Sequence, residues 1–302
     1  MSFQRVAIIG LGLIGGSVGL AVRDDLPGVT TSGYDIDPKV RARARQRGLA
    51  QVIHDDPGEA VRGADLVILC VPVGAMRDAA AAIAADLSPD CVVSDVGSSK
   101  RTITDTLTDA LPGFEIIPAH PVAGTENSGP DAGFSTLFHQ RWCIVTPPAG
   151  ANKTKVAALV DFWESLGAMV ECMDADHHDR VLAVTSHIPH LIAYTIVGTA
   201  SDLEQVTRSE VIKYSAGGFR DFTRIASSDP TMWRDVFLNN KDAVLEMLDT
   251  FLTDLALMRE AIKAGDGEMM FDTFSRTRAI RRSIVALGQD DARADFGRGD
   301  HD

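Results

Sequence analysis

Two short segments of the chain carry the side chains best suited to proton transfer. Asp-Val-Gly-Ser-Ser-Lys occupies residues 95–100, and His-Pro-Val-Ala-Gly-Thr-Glu occupies residues 120–126. A neutral histidine can accept a proton near neutral pH, and a serine hydroxyl can hold either the ring or the reacting hydroxyl. We therefore predict that His120 is a catalytic base and that Ser98 supports it. The competing interpretation of His120 is a loop histidine bonded only to backbone.

Both segments directly follow predicted strands, at residues 91–94 and 115–118. The carboxyl ends of parallel strands meet at one edge of a sheet, and ligands of open α/β folds bind there. We place His120 on a loop at this edge. The histidine is then positioned to take a proton from a ligand bound beside it.

A glycine-rich turn lies near the start of the chain. Gly10-Leu11-Gly12-Leu13-Ile14-Gly15 follows the predicted strand at residues 5–10 and opens a helix. The first glycine permits the tight turn, the second lets a pyrophosphate approach the backbone, and the third lets helix and strand pack closely. The N-terminus of the helix then favours the phosphates. We predict a dinucleotide cofactor that contacts Gly10, Gly12, Leu13, Ile14 and Gly15.

A carboxylate follows the second predicted strand, at residues 30–34, where a dinucleotide places its ribose. Asp35 can accept hydrogen bonds from both ribose hydroxyls and would repel a 2′-phosphate, and no arginine directly follows it. We therefore predict NAD rather than NADP. The other possible role of Asp35, a cap for the helix that begins at Pro38, suits Asp37 better.

The elements that must position these residues alternate through the first half of the chain. Short β-branched runs, apolar on both faces, alternate with helical stretches, which is typical of a mostly parallel sheet covered by helices. Val71 and Pro72 end one of these strands and are expected beside the nicotinamide. The predicted strands are residues 5–10, 30–34, 65–71, 91–94, 115–118, 142–146 and 169–172, and the predicted helices include residues 38–47, 75–86, 99–110 and 153–166.

The pattern changes after residue 174, where only amphipathic helical stretches follow. Ser228-Asp229-Pro230 is typical of a helix start, with a capping side chain before a proline in the first turn. That helix is expected to run through Asn239 towards Ala264, and a final helix covers residues 268–287. We predict an α/β fold, with a Rossmann-type doubly wound domain over residues 1–173 and an all-helical domain over residues 174–302.

The composition limits the classes of partner. A formal net charge of -13 and a pI near 5.0 argue against nucleic acid or an anionic membrane bound through bulk charge. An anionic substrate would then need a local cationic pocket. No apolar run is expected to span a membrane, no secretory signal is seen, and the four cysteines are expected to be reduced and buried. These features predict a cytoplasmic protein.

Motifs along nearly the whole chain resemble, in order, the prephenate/arogenate dehydrogenase family of tyrosine biosynthesis. The glycine motif is common to many dehydrogenases, whereas the later motifs are specific to this family. The motifs are Gly-Leu-Gly-Leu-Ile-Gly-Gly-Ser at 10–17, the segments at 95–100 and 120–126, Ser-His-Ile-Pro-His at 186–190, Gly-Gly-Phe-Arg-Asp-Phe-Thr-Arg-Ile-Ala at 217–226 and Asp-Pro-Thr-Met-Trp-Arg-Asp at 229–235.

The resemblance implies roles for individual residues. His120 matches the family's catalytic histidine, which hydrogen-bonds the substrate's ring hydroxyl, and Ser98 matches the serine that supports it. Arg224 matches the arginine that holds a substrate carboxylate. The family's helical domain forms a dimer, so a homodimer is expected. The residues implied to line or organise the substrate pocket are Thr125, Glu126, His190, Asp221 and Trp233.

The reaction that the resemblance implies is the oxidative decarboxylation of prephenate, of arogenate, or of both. His120 would accept the hydroxyl proton while a hydride moves to NAD, so activity should fall at acid pH as the ring becomes protonated. Arg224 could grip a carboxylate through two donors, or it could form an ion pair with Asp221 instead. The choice between the two substrates stays open.

Other classes of protein stay open on the residues alone. A two-domain dehydrogenase of the β-hydroxyacid type would place a lysine or an aspartate at the chemistry. A non-catalytic NAD-sensing protein would keep the glycine turn without needing His120, Ser98 and Arg224 together.

The remaining histidines carry weaker expectations. His187 and His190 share a helical face, but no third ligand is evident, so no metal is predicted. Pro189 is expected to kink that helix and direct His190 into the cleft. We interpret His177 and His178 as surface or capping residues.

Overall fold

A parallel sheet forms the centre of the N-terminal half. The computed structural model describes residues 3–125, 127–202 and 217–286. The sheet contains β1 (Arg5–Ile9), β2 (Thr30–Tyr34), β3 (Val52–Ile53), β4 (Leu66–Leu69), β5 (Val92–Asp95) and β6 (Glu115–Ile116). Its six strands lie in the order β3-β2-β1-β4-β5-β6, and every neighbouring pair is parallel. This doubly wound order confirms the predicted fold class.

The side chains of β1 feed two separate apolar cores. Val6 and Ile8 belong to one cluster of buried residues, and Ala7 and Ile9 belong to the other. Successive side chains of a strand point to opposite faces, so both faces of this sheet are covered. The helices of this half are α1 (Leu13–Asp25), α2 (Pro38–Arg47), α3 (Pro57–Val61), α4 (Met76–Ile83), α5 (Arg101–Ala110) and α6 (Lys153–Ser165).

Three further strands form a second, mixed sheet: β7 (Ala119–Pro121), β8 (Trp142–Val145) and β9 (Met169–Cys172). β7 runs antiparallel to β8, and β8 runs parallel to β9. The expectation that β8 and β9 join the main sheet was wrong, and so was the placement of residues 119–121 in a loop. A three-residue strand that ends in proline is too short to show alternation and lacks one backbone donor.

Only helices follow residue 174 in the part of the chain that the structure describes. Asp229 accepts a hydrogen bond from the N–H of Met232 at 2.8 Å, which confirms the predicted helix start. Asn240 ends that helix, and a new helix begins at Lys241 instead of one helix continuing to Ala264. The elements are α7 (Ala175–Leu182), a π-helical turn (Ala183–His187), α8 (Ile188–Asp202), α9 (Gly217–Thr223), a 3-10 turn (Arg224–Ser227), α10 (Pro230–Asn239), α11 (Lys241–Ala264) and α12 (Gly267–Ala286).

The chain divides into two compact units, Met1–Met247 and Leu248–Asp302. The division falls within α11. The boundary between residues 173 and 174 therefore stays a prediction made from the change in sequence pattern. Every described site residue discussed below lies in the first unit.

Two expectations need correction: that no apolar run could span a membrane, and that all four cysteines are buried. One helical stretch, Ala175–Asp202, is long and apolar enough by length and composition to span a membrane, although no such run was expected. It is weak evidence for a membrane span, because core helices meet the same criterion and this stretch carries the buried His178 and His187. Cys172 is exposed rather than buried, because it ends the edge strand β9.

Candidate active site

The glycine turn, residues 10–15, has the geometry of a phosphate cradle. Gly10 has a φ of +97°, and a Cβ atom there would lie 2.5 Å from the carbonyl oxygen of Cys70. A Cβ atom on Gly15 would lie 1.9 Å from the carbonyl oxygen of Gly10. Only glycine fits either position, and the two close approaches hold β1 against α1.

The middle of this cradle is open. A Cβ atom on Gly12 would have no neighbour within 4 Å, and Gly12 precedes α1 without a side-chain cap. Leu13 and Ile14 form the half-buried first turn of α1. The first backbone N–H groups of a helix have no partner inside the helix and favour anions. The space and the donors therefore fit a pyrophosphate.

Asp35 lies just beyond β2 and is half-buried. Its Oδ2 accepts the N–H of Leu11 at 2.8 Å, and its Oδ1 accepts the N–H of Asp37 at 2.9 Å. The carboxylate thus ties the cradle to the end of β2, and each oxygen keeps a lone pair for a ribose hydroxyl. Asp37 itself caps α2 by accepting the N–H of Lys39 at 2.8 Å.

An arginine that the sequence interpretation missed lies at the same edge. Arg41 donates from Nη1 to the carbonyl of Asp35 at 2.8 Å and to that of Ile36 at 3.1 Å. Its Nε lies 2.8 Å from Oδ1 of Asp55. Because Arg41 stands on the first turns of α2 and not next to Asp35, a search of directly adjacent positions could not find it.

The ends of β4 and β5 link the cradle to the proton-transfer residues. Val71 Cγ1 would lie 3.1 Å from a Cβ atom on Gly10, and Val73 Cγ2 would lie 3.3 Å from one on Gly97. Pro72 is exposed between the two valines. The segment that follows β4 therefore lies between the cradle and the loop that follows β5.

A buried ion pair joins the loop after β5 to β7. Lys100 Nζ lies 2.5 Å from Oδ2 of Asp95, and both side chains are fully buried. Lys100 also donates to the carbonyl of Ala119 at 2.7 Å. Burial raises the pKa of Asp95 and lowers that of Lys100, and the attraction between the two charges opposes both changes. The pair fixes the backbone directly before His120.

His120 lies on β7 and is 7% exposed, so the expected loop position was wrong. Its Nδ1 lies 2.9 Å from Nε2 of His178. No hydrogen bond joins His120 to the half-buried Ser98 among the described residues, so His178 holds the ring. Burial keeps the pKa of His120 well below its usual range, and the nearby His178 and Lys100 lower it further. The ring is therefore neutral at neutral pH.

The residues behind His120 were missed in the sequence. His178 is fully buried on α7, and its Nδ1 lies 2.8 Å from Oδ1 of Asp179. The two carboxylate oxygens of Asp179 accept the N–H of Lys100 at 2.7 Å and of Arg101 at 3.0 Å. Interpreting His178 as a surface or capping residue was wrong, because the phase of α7 turns it inward and leaves His177 exposed.

Two more histidines lie along the same helical stretch. His187 is fully buried, its Nδ1 lies 3.1 Å from Nδ2 of Asn240, and burial lowers its pKa to about 4. His190 Nδ1 donates to the carbonyl of Ser186 at 2.8 Å. The His190 ring stacks on Trp233, with centroids 3.6 Å apart. We refer to His120, His178, His187 and His190 as the histidine cluster.

The predicted carboxylate ligand lies on the border of this cluster. Arg224 begins the 3-10 turn and is exposed. The 3-10 turn packs against α8, which carries His190. Burial lowers the pKa of His190, and the positive charge of Arg224 lowers it further. Asp221 is exposed, with its Oδ1 3.7 Å from Nε of Arg220.

The loop after β7 carries the last of the predicted pocket residues. Thr125 is exposed, and its hydroxyl accepts the N–H of Asn127 at 3.2 Å. Glu126 lies outside the described residues. Within the described part of the chain, no group of three or more histidine, cysteine or acidic side chains could hold a metal ion.

A dinucleotide cradle beside a buried neutral histidine defines a dinucleotide-dependent oxidoreductase. Residues 18–172 match the family model described as the nucleotide-binding domain of prephenate dehydrogenase. Residues 174–276 match the model described as the dimerization domain of the same enzyme. The chain belongs to the prephenate dehydrogenase family.

Individual relatives agree with this assignment. The chain is 46% identical to the cyclohexadienyl dehydrogenase of Zymomonas mobilis over 282 residues. These aligned residues cover 93% of this chain and 96% of that protein. It is 33% identical to the prephenate dehydrogenase of Bacillus subtilis, over 93% of this chain and 76% of that protein. Prephenate dehydrogenase from Aquifex aeolicus, solved with hydroxyphenyl propionate and NAD+, has a TM-score of 0.86 and 33% identity, covering 94% of this chain and 99% of that one.

These comparisons confirm the predicted family and the predicted class, an NAD-dependent dehydrogenase. They decide against a β-hydroxyacid-type enzyme and against a non-catalytic NAD-sensing protein. The arogenate dehydrogenase of Synechocystis, at 23% identity and a TM-score of 0.78, shares the fold.

Proposed function

We propose that the chain catalyses the NAD-dependent oxidative decarboxylation of prephenate to 4-hydroxyphenylpyruvate, of arogenate to tyrosine, or of both. The observation that supports this function best is the state of His120. Its Nδ1 is engaged by His178, and burial keeps the ring neutral, so Nε2 is the nitrogen available to accept a proton. The substrate classes follow from the names of the relatives.

His120 carries the proton in the proposed reaction. Its Nε2 accepts the proton of the ring hydroxyl while the hydrogen on the same carbon leaves as hydride, and that carbon becomes a carbonyl. The ring carboxylate then leaves as carbon dioxide, and its bonding electron pair completes the aromatic ring. The former carbonyl oxygen recovers the proton from His120. One hydride and one carbon dioxide leave, and the base returns to its starting state.

When bound, NAD supplies the acceptor for the hydride. The open N-terminus of α1 would hold the pyrophosphate through backbone donors, and Asp35 would accept the ribose hydroxyls. Val71 and Pro72 would flank the nicotinamide, because they lie between the cradle and the loop after β5. The residues assigned to the pyrophosphate are Gly10, Gly12, Leu13, Ile14 and Gly15.

An anionic substrate needs a local cation on a chain whose formal net charge is -13. We assign this role to Arg224, whose planar fork can bind a carboxylate bidentately. His190 donates its Nδ1–H to Ser186 and therefore keeps an acceptor at Nε2 for a substrate donor. Ser98 is assigned to the reacting hydroxyl. The remaining pocket positions are assigned to Thr125, Glu126, Asp221 and Trp233.

We assign dimerisation to the helical part of the chain and a cytoplasmic location to the protein. The match of residues 174–276 to a dimerization domain supports a homodimer. The second compact unit exposes many large apolar side chains, which favours a protein partner. These side chains are Leu252, Leu255, Leu257, Ile262, Phe271, Phe274 and Ile280.

The test is the absorbance of NADH, measured with prephenate and with arogenate, each with NAD and with NADP. We expect NADH from at least one substrate, and a loss of activity only at a pH well below the usual pKa of histidine, where His120 becomes protonated. His120→Asn should lower kcat about 1,000-fold without weakening NAD, whereas the exposed control His177→Asn should be unchanged. No NADH from either substrate would refute the function. A fully active His120→Asn variant would refute only the mechanism.

A further inference from the structure

His120 is the end of a buried chain of side chains that continues through His178 to Asp179. The two histidines are joined at 2.9 Å, and His178 lies 2.8 Å from the Asp179 carboxylate. His178 is fully buried and Asp179 is 4% exposed. The reaction described above uses His178 only to occupy Nδ1 of His120, and it gives Asp179 no role.

The hydrogen bonds along this chain determine where each proton lies. Asp179 accepts backbone N–H groups at both oxygens, at the start of α5, where a negative charge is favoured. A carboxylate only accepts, so His178 must carry its proton on Nδ1. The Nε2 of a neutral His178 is then an acceptor, and His120 must donate its Nδ1–H to it. The Nε2 of His120 is therefore left without a proton.

The charges around His120 disfavour a positive charge on that ring. The charge of Lys100, which is paired with Asp95, and a charge on His187 in the π-helical turn would both lower the pKa of His120. Cys143, whose thiol is uncharged when buried, lies on β8 beside the same strand. Among the described residues, Asp179 is the carboxylate that contacts His178. No lysine or arginine side chain in that part of the chain forms an ion pair with Asp179. Burial and Lys100 lower the pKa of His178 too, but the carboxylate of Asp179 is hydrogen-bonded to His178 and opposes this change. Positive charge is thus better placed on His178 than on His120.

We propose that His178 and Asp179 are positioning residues which set the tautomer of His120 and take up the positive charge that proton transfer creates. The proposal rests on the dehydrogenase function proposed above. As Nε2 of His120 gains the hydroxyl proton, its Nδ1 passes a proton to Nε2 of His178. His178 becomes an imidazolium beside the carboxylate of Asp179, and His120 stays neutral. The reverse transfer returns the proton when the product oxygen recovers it, so no other reactant is needed.

The kinetic test compares two substitutions of His178. In His178→Gln the amide oxygen can still accept from His120 Nδ1–H, but the amide cannot carry a proton, so the variant separates orientation from charge uptake. We expect kcat to fall about 10- to 100-fold with KM within about twofold, and the acid limb of the kcat profile to move to lower pH. His178→Leu also removes the acceptor and should lose about tenfold more. His177→Gln, exposed on the same helix, is the matched control and should behave like the wild type.

A spectroscopic test works without any turnover. Nitrogen NMR of histidine-labelled protein should show His120 protonated at Nδ1 and unprotonated at Nε2 in the wild type, and a mixture of tautomers in His178→Leu. A wild-type His120 protonated at Nε2 would overturn the proposal, and so would an unchanged kcat and acid limb in both variants. Failure of the wild type to make NADH would refute the dehydrogenase function instead, and the tautomer measurement would still decide the role of His178.

Discussion

The phosphate cradle and the histidine cluster are built in opposite ways. The cradle is made of backbone: glycines bring β1 and α1 together, and an uncapped helix N-terminus faces open space. The cluster is made of side chains, and its members His120, His178 and His187 are almost completely buried. The cradle should therefore be sensitive to added atoms, whereas the cluster should be sensitive to added charge.

The largest effect expected from this comparison concerns two glycines of the cradle. Gly15→Ala puts a Cβ atom 1.9 Å from the carbonyl of Gly10, so α1 must move. Strain of about 3 kcal/mol is expected, and an equal loss of binding energy would weaken NAD about 100-fold. Gly12→Ala meets no protein atom within 4 Å. It should fold with a loss of about 1 kcal/mol or less and still weaken NAD, because its methyl group enters the phosphate space.

The measurements are NAD titration by fluorescence and urea unfolding of both variants. If Gly15→Ala bound NAD as tightly as the wild type, the close packing of β1 and α1 would not matter for the cofactor. If Gly12→Ala bound NAD normally, the open space at α1 would not be where the phosphates lie.

The second prediction adds charge to the cluster. Burial lowers the pKa of His187 to about 4 from a usual value of 6.5. Below pH 6.5 the unfolded chain binds a proton at this position that the folded protein does not bind. The contribution of His187 to the free energy of unfolding is therefore fully present above pH 6.5, and it is lost as the pH falls towards 4. The loss at pH 5 should be about 2 kcal/mol.

The check is urea unfolding of the wild type, His187→Asn and the exposed control His177→Asn at pH 7 and pH 5. The asparagine oxygen can still accept from Asn240, so its variant should lose less stability between the two pH values than the wild type. Equal pH dependence in all three proteins would mean that His187 is not held neutral by burial.

The same contrast explains what could be read from the sequence. The constraint on Gly15 is local, because the carbonyl of Gly10 in the same turn demands glycine there. Gly10 is distant along the chain from the Cys70 carbonyl that its Cβ atom would meet, but its place in the glycine motif is readable from the spacing alone. The fold class followed for the same reason, since alternation of strands and helices is written residue by residue. β7 gave no such pattern, so His120 was placed on a loop when it lies in a strand.

The histidine cluster could not be assembled from sequence because its members lie far apart along the chain. His120 and His178 are separated by 58 positions, and nothing near either one indicates the other. One signal was present. His178 stands four residues before Leu182, so the two share a face of α7, and that face is buried. His177 has the same spacing to Val181, which is half-buried, so this signal did not by itself separate the exposed His177 from the buried His178.

The smallest effect expected is a change of cofactor preference at the edge of the cradle. Asp35→Ser removes the charge that would repel a 2′-phosphate, and it leaves Arg41 in place beside the carbonyl of Asp35. NAD should weaken about tenfold, the equivalent of one lost hydrogen bond to a charged group. NADP should weaken less or gain, so the ratio of the two dissociation constants is the quantity to measure. Asp37→Ser is the matched control, because serine also caps α2 and the ratio should not change.

The two roles of Asp35 separate in this experiment. Its carboxylate also accepts the N–H groups of Leu11 and Asp37, so its loss could loosen the cradle for any dinucleotide. In that case both cofactors would weaken by the same factor, and Asp35 would act only on the backbone. A shift of the ratio towards NADP requires a direct effect at the ribose, because the pyrophosphate that the cradle holds is the same in both cofactors.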